Sequence, residues 1–182
     1  MEHISTNIIE TQRIKRELLS MKYIEEIYKE FTDNVTKTLR TSTPKSLEDE
    51  KNRVIRSQAQ YDEWTSMELV VTDKEDNFIW CCSIMRLDTS TPEVWLRLKQ
   101  SARGQWYGKE MIDGLIQRIE KNKTFDYIVY RAKTDNIATR KIAESFGWIL
   151  QIDEQGKEKI FIENKYDNTS SFEAVEYRIY KK

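Results

Sequence analysis

Glycine, proline, histidine and cysteine are all scarce in this chain of 182 residues. There are five glycines and two prolines, where average usage of about 7% would give roughly 13 glycines. That scarcity excludes collagen-like and linker-type sequences. The glycines are Gly104, Gly108, Gly114, Gly147 and Gly156, so none precedes residue 104. More than half of the chain is built without the residue that enters positive φ freely. Close approach of backbone to a ligand is therefore expected in the middle of the sequence. The single histidine is His3, which removes His-based triads, facial triads and Cys/His zinc sites within one chain, so no metal is expected. The only cysteines, Cys81 and Cys82, are adjacent. Neighbours on a strand point to opposite faces, and an ordinary disulfide between them is strained. No apolar run approaches the roughly 18 residues of a membrane span, and Met1–Glu10 lacks the basic-then-apolar order of a signal peptide. Neither charge sign dominates: 30 Lys and Arg stand against 31 Asp and Glu, a formal net charge of −1. That balance argues against nucleic-acid or anionic-membrane partners. The expectation is a cytoplasmic protein whose residues 1–182 form one domain, a length that hides roughly 70% of its unfolded surface.

What the sequence does have is periodicity. Residues 8–19 alternate loosely, with Ile14 and Leu18 among charged neighbours, and read as a first strand. From Ser20, Met21, Ile24, Tyr28 and Phe31 step by three and four, which is helical. Pro44 breaks the chain, and Ser46 with Asp49 three later resembles a capping signal for a helix to about Asp62. Apolar runs Leu69–Val71 and Phe78–Met85, separated by the polar turn Asp73–Asn77, predict a hairpin of buried strands. Val94–Leu98 is a third strand. After a glycine-flanked turn, Ile112, Leu115, Ile116 and Ile119 share one helical face. Tyr127–Tyr130 is a strand, and Asn136–Phe146 a short helix ended by Gly147 at a C′ position. Strands over 148–153 and 158–163, a polar loop at Asn164–Ser171 and a strand over Glu173–Tyr180 complete the chain. The order β-α-α-β-β-β-α-β-α-β-β-β predicts an α/β (α+β) fold, one mixed sheet with helices on both faces.

The sharpest local feature is Leu98 to Glu110, where a strand ends, a loop carries two glycines and a helix begins. A helix's first turn has unpaired N–H groups and partial positive charge, and binds phosphate readily. Gly104 and Gly108 would let the backbone approach an anion, with Arg103 and Lys109 adding charge at the rim. The bland reading is a loop whose glycines only satisfy turn geometry. The spacing is not that of a P-loop: three residues separate the glycines instead of four, and Lys109 precedes Glu110 where Ser or Thr is required. The dinucleotide pattern G-x-G-x-x-G is absent as well.

Twenty-eight residues beyond Gly108 stands Asn136-Ile137-Ala138-Thr139-Arg140-Lys141-Ile142-Ala143-Glu144-Ser145-Phe146-Gly147-Trp148. With this second segment the chain resembles the GCN5-related N-acetyltransferases (GNAT). Arg103–Gly108 looks like their acetyl-CoA signature and Asn136–Trp148 like their second motif. Within the superfamily it is most similar to the ribosomal-protein N-acetyltransferase type (RimJ/RimL-like). The Arg-Gly-x-Gly-Tyr-x-x-Glu-Ala pattern of that branch is matched by Arg103, Gly104, Tyr107 and Glu110, and its opening Glu-Thr-x-Arg-Leu by Glu10-Thr11-Gln12-Arg13-Ile14. The signature's middle glycine is Trp106 here, and the tyrosine that many members carry on the second helix is Ala143.

The resemblance implies a mostly antiparallel sheet of six to seven strands. It implies acetyl transfer from acetyl-CoA, a cosubstrate, to a primary amine by direct attack in a ternary complex. The acceptor would be a protein N-terminus or a small-molecule amine, and a homodimer is compatible with the long C-terminal strands. A catalytically weakened CoA-binding module of the same fold is the alternative. The cofactor set implied is Leu98, Arg103, Gly104, Gln105, Trp106, Tyr107, Gly108, Lys109 and Asn136, with a backbone N–H near Leu98 polarising the thioester. Thr139 is the candidate partner of the leaving thiolate, or else bonds back to the carbonyl four residues earlier. Asn136 either contacts the pantetheine arm or is an N-cap. Trp106 stacks on adenine, lines the acceptor entrance or packs. The general base stays open among Glu68, Asp88, Glu93 and Glu110; Glu110 fits the branch pattern, although acids are common in a first helical turn for dipole reasons alone.

Overall fold

The computed structural model describes residues 9–36, 42–164 and 170–181. His3 and residues 165–169 of the expected polar loop lie outside them. The expected first strand is a small hairpin: β1 (Ile9–Glu10) and β2 (Ile14–Leu18) pair antiparallel across a turn at Thr11–Arg13. A single 3-10 turn at Met21–Tyr23 leads into α1 (Ile24–Glu30), followed by the short α2 (Asp33–Thr36). Helix α3 (Leu47–Asp62) starts where the capping signal placed it, with Ser46 Oγ accepting the Asp49 N–H at 3.1 Å. Strands β3 (Ser66–Asp73), β4 (Phe78–Met85) and β5 (Glu93–Leu96) form a meander. Helix α4 (Tyr107–Asn122), β6 (Ile128–Lys133), α5 (Ile137–Ser145), β7 (Ile149–Leu150), β8 (Phe161–Asn164) and β9 (Ser171–Ile179) follow.

The strands form one sheet in the order β1-β2-β3-β4-β5-β6-β9-β7, with β8 also on β9. Every pairing is antiparallel except β5 with β6. Nine strands are present among the described residues against the six to seven expected, because β1 and β7 add two-residue ends to seven longer strands. The late strands are shorter than predicted. Between the two segments the pairing is one bridge, Ile152 to Glu158, flanked by the Lys159 N–H on Gln151 O at 3.0 Å and the Asp153 N–H on Lys157 O at 2.8 Å, around a turn in which Asp153 Oδ1 accepts the Gln155 and Lys157 N–H groups.

Each face of the sheet carries its own core. Leu69, Val71, Cys82 and Ile84 pack against Met111, Ile112, Leu115 and Ile119 of α4 on one side. Val70, Trp80 and Cys81 pack against Ile27 and Phe31 of the α1 region and Val54 of α3 on the other. The two-residue strand period thus sends the adjacent free cysteines to opposite cores, as expected. Burial pushes the Cys82 thiol up to about 12, so it is no nucleophile near neutral pH. Gly114 is fixed by packing: a Cβ there would fall 1.6 Å from Arg16 Nη1, the guanidinium of a buried arginine on β2. Among the described residues no helix is long and apolar enough to cross a membrane, and no group of three His, Cys, Asp or Glu side chains is placed to hold a metal.

The parallel pair matters most for function. β5 and β6 are in register at Glu93 and Val129 alone. Beyond that point they diverge and the sheet opens.

Candidate active site

The opening between β5 and β6 is floored by the chain that leaves β5. The N–H groups of Arg97 and Lys99 still donate to β4, to Cys81 O at 2.8 Å and Ile79 O at 3.2 Å. Successive N–H groups on an extended chain alternate in direction, so that of Leu98 faces away from β4 into the opening. A cleft of about 390 Å³ begins there. Its apolar wall is Leu96, Leu98 and Ile142; its polar rim carries Arg103, Lys109 and Lys141. Gly108 is on its floor, where a Cβ would stand 2.9 Å from Ile142 Cδ1 and 3.3 Å from Leu98 Cδ1. The glycine therefore keeps the first turn of α4 in contact with both walls.

Gly104 takes φ +77° and Trp106 φ +67°. Trp106 is the N-cap of α4 and so stands in the left-handed region that glycine normally fills. The missing glycine of the sequence is a tryptophan in a glycine conformation. Its ring is 70% exposed, so hydrophobic packing does not hold it there. Across the cleft, α5 presents Asn136, Ala138 and Thr139. Asn136 Oδ1 accepts the Thr139 N–H at 3.2 Å, so the N-cap role is realised while the residue still lines the cleft. Thr139 also borders a small cavity of about 30 Å³ shared with Leu96 and Tyr130. The Tyr130 hydroxyl is fully buried and its pKa is pushed up by burial, an effect that the neighbouring Thr139 hydroxyl partly offsets.

Eight of the eleven residues expected at the site line this one cleft: Leu98, Arg103, Gly104, Trp106, Gly108, Lys109, Asn136 and Thr139. Gln105, Tyr107 and Glu110 do not. Glu110, expected as a catalytic residue and one of the four candidate bases, faces the β1–β2 turn. Its carboxylate takes hydrogen bonds from the Thr11 hydroxyl and from Arg13 Nε at 2.8 Å, and Arg13 Nη2 lies 2.7 Å away. Partial burial raises its pKa, but these donors outweigh that and hold it below the usual carboxylate range. Arg13 also donates to Gln105 O at 2.9 Å and covers the Tyr107 ring at 4.8 Å. The opening Thr-x-Arg and the Tyr-x-x-Glu of the signature are thus two halves of one contact. Sequence reasoning paired them by pattern but could not see that they touch.

A second cavity, about 580 Å³, lies on the other face of the sheet between α3 and β3–β5. Arg97 lines both cavities and so forms part of the wall between them. Of the four carboxylates considered as bases, Glu68 and Asp88 line this groove and Glu93 and Glu110 do not. Both Glu68 oxygens accept from Arg53 Nη1 at 2.8 Å, while Arg53 Nε and Nη2 reach the buried Glu50 at 2.8 and 2.6 Å. Burial pushes the Glu68 pKa up, but Arg53 and then Arg97 more than reverse this and hold it below the usual value. The missed residues are Arg97, Arg53 and Tyr130. Tyr130 and Arg97 carried no motif, and each becomes significant only through the divergence of β5 from β6.

The family described as acetyltransferase (GNAT) domain matches residues 17–149. No curated protein matches the sequence. Solved structures share the fold at low identity. One is described as the microcin C7 self-immunity acetyltransferase MccE in complex with acetyl-CoA and AMP. It is 16% identical over 98% of each chain, with a TM-score of 0.81. A Salmonella typhimurium acetyl transferase, described as modifying the N-terminal serine of 50S ribosomal subunit protein L7/L12, is 12% identical over 97% of this chain and 100% of that one, with a TM-score of 0.79. The spermidine N-acetyltransferase of Vibrio cholerae, with CoA and spermine, is 12% identical over 93% and 96% of the two chains, with a TM-score of 0.73. At these identities the likeness is one of fold, and the acceptors named differ from one neighbour to the next.

Proposed function

The chain belongs to the GNAT acetyltransferase family, and from that membership we propose that it transfers an acetyl group from acetyl-CoA to a primary amine by direct attack within a ternary complex. The observation that carries the reading is a pair of cavities on opposite faces of the sheet that share Arg97 in their walls, just beyond the point where β5 and β6 part. A donor and an acceptor entering from opposite sides would meet there without an intermediate on the protein.

The residues of the cleft fit acetyl-CoA. A helix N-terminus with a left-handed cap, a glycine floor and three cations at the rim suits a pyrophosphate, and the wall of Leu96, Leu98 and Ile142 suits an apolar arm. When bound, acetyl-CoA supplies the acetyl group as an activated thioester. The Leu98 N–H is the donor that stabilises charge developing on its carbonyl oxygen. The first turn of α4, with Gly104, Gly108, Arg103 and Lys109, holds the phosphates, and Trp106 covers the adenine. Asn136, with Oδ1 committed to the helix cap, offers its amide N–H₂ to the arm. Thr139, beside the buried Tyr130 hydroxyl, is the proton donor for the leaving sulfur. The amine's proton leaves toward the groove, where Asp88 is the candidate acceptor because both Glu68 oxygens are held by Arg53. Glu110 is a positioning residue that fixes the phosphate loop. The acceptor is a protein N-terminus or a small amine, and the contact of Thr11 and Arg13 with Glu110 supports the RimJ/RimL-like placement.

Isothermal titration with acetyl-CoA tests the reading. Binding is expected to weaken at least tenfold on Gly108→Trp, which fills the floor between Leu98 and Ile142. Wild-type protein that binds no acetyl-CoA overturns the proposal. Binding without release of free CoA from any amine in a broad panel leaves a CoA-binding module in its place.

A further inference from the structure

The groove on the α3 face holds hydrogen-bond donors that the protein itself does not use. Arg97 is 5% exposed, yet its Nε and Nη1 are buried without a hydrogen-bond partner. Its guanidinium lies between two rings, 4.1 Å from the Trp95 centroid and 4.5 Å from that of Phe31. The rings fix its plane and leave the in-plane donors bare. The nearby carboxylate does not answer them, because both Glu68 oxygens are taken by Arg53. At the outer end of the groove Arg86 repeats the pattern: Nε and Nη2 have no hydrogen-bond partner, and its ion pair to Glu93 spans 3.7 Å. A buried guanidinium without an acceptor is costly, and a planar arginine fork matches carboxylate and phosphate oxygens two at a time. A polycation entering the same groove would meet Arg53, Arg56, Arg86 and Arg97.

We propose that this groove takes an acceptor bearing an anionic oxygen group, a carboxylate or a phosphate, close to its amine, and that Arg97 reads that group. The proposal rests on the acetyl-transfer reading above and narrows its acceptor class. Proximity to the amine follows from the place of Arg97. It stands in the wall shared by the two cavities, so a group bonded to it is held close to the acetyl-CoA cleft. The burial that leaves its donors bare, with Arg53 beside it, lowers the Arg97 pKa to about 10. The side chain therefore stays cationic at neutral pH.

The test compares kcat/KM, read as release of free CoA, for matched acceptors: β-alanine against its amide, and O-phosphoethanolamine against ethanolamine, with spermidine as the polycation. The charged member of at least one pair is expected to lead its neutral partner by tenfold or more, and the pair that does so separates carboxylate from phosphate. Arg97→Gln should bring that ratio to within about threefold of one, and Arg97→Lys, which keeps charge but not the planar fork, should fall between. Wild-type ratios near one in both pairs, or a preference for spermidine, overturn the proposal and leave acetyl transfer standing, whatever becomes of the variants. If acetyl-CoA binds but no amine turns over, titration of the charged and neutral amines into CoA-loaded protein decides: tighter binding of the charged members supports the proposal, and equal binding overturns it. Failure to bind acetyl-CoA at all removes the transfer reading and this inference with it.

Discussion

Trp106 shows how a single residue departs from its neighbours' logic. A side chain at φ +67° costs roughly 1–2 kcal/mol against the right-handed alternative, and a ring that is 70% exposed recovers little of it by packing. Such strain persists where a site gains from it, and under the proposed function the gain would be an aromatic face beside the loop that holds the phosphates. Trp106→Gly relieves the strain but loosens the unfolded chain by a comparable amount, roughly 0.5–1 kcal/mol. Folding stability in urea is therefore expected to shift by less than about 1 kcal/mol. The acetyl-CoA Kd should rise about fivefold, near the ~1 kcal/mol of one aromatic contact. A Kd that is unchanged while stability rises would assign the tryptophan no part in binding. Gly114 obeys the opposite rule, since its lack of a Cβ makes room for the Arg16 guanidinium. From the sequence it reads only as a helix glycine, because its partner is on β2.

At the scale of elements, the contact between the β1–β2 turn and the start of α4 has the clearest consequence. Arg13 and Thr11 engage Glu110, and Arg13 also holds the carbonyl of Gln105 within the loop. Removing that contact should loosen the Arg103–Gly108 loop, which is proposed to hold the phosphates, without touching the reacting atoms. Glu110→Gln and Arg13→Ala are each expected to raise the KM for acetyl-CoA about three- to tenfold and to leave kcat within twofold. A lost general base would instead lower kcat by about 10²-fold or more and remove the acid limb of its pH profile, so steady-state kinetics across pH separates the two roles. Elements such as α3 and α5 were legible because their signals are local. Ser46 and Asn136 cap as their residue types predict, and Gly147 takes the positive φ of a helix stop. The inner face of α3 was not legible. Its buried stripe is Glu50, Val54 and Ser57, polar at two of three positions, so no apolar periodicity announces that this face lies against the sheet.

The whole molecule places a cavity on each face of one sheet, with Arg97 in the wall of both, beyond the point where β5 and β6 part. The cleft between α4 and α5, the cofactor half of the proposed site, was legible in the sequence as a place, because glycines and caps mark its walls. The half under α3 was not, because it depends on a divergence of strands that no short spacing encodes. That hidden half also ties the site to global stability. In the Glu50–Arg53–Glu68 cluster, breaking one partner strands a buried charge, so Glu68→Leu should cost about 3–5 kcal/mol, and Arg53→Met/Glu68→Leu together much less than the sum of the two single changes. The folded pKa of Glu68 is lowered, by Arg53 and Arg97 acting against burial. A depressed carboxylate contributes stability that is fully present above its unfolded value, about 4.3, and is lost as pH falls through the folded value. Urea midpoints taken from pH 6.5 down to 3 should therefore fall below about pH 4.5 in the wild type. The paired variant, lacking this term, should show a shallower decline, although Glu110 and Glu176, also lowered, keep some slope in both. Equal slopes would mean that the Arg53–Glu68 pair carries no pH-dependent stability, and that the cluster shapes the groove without supporting the fold.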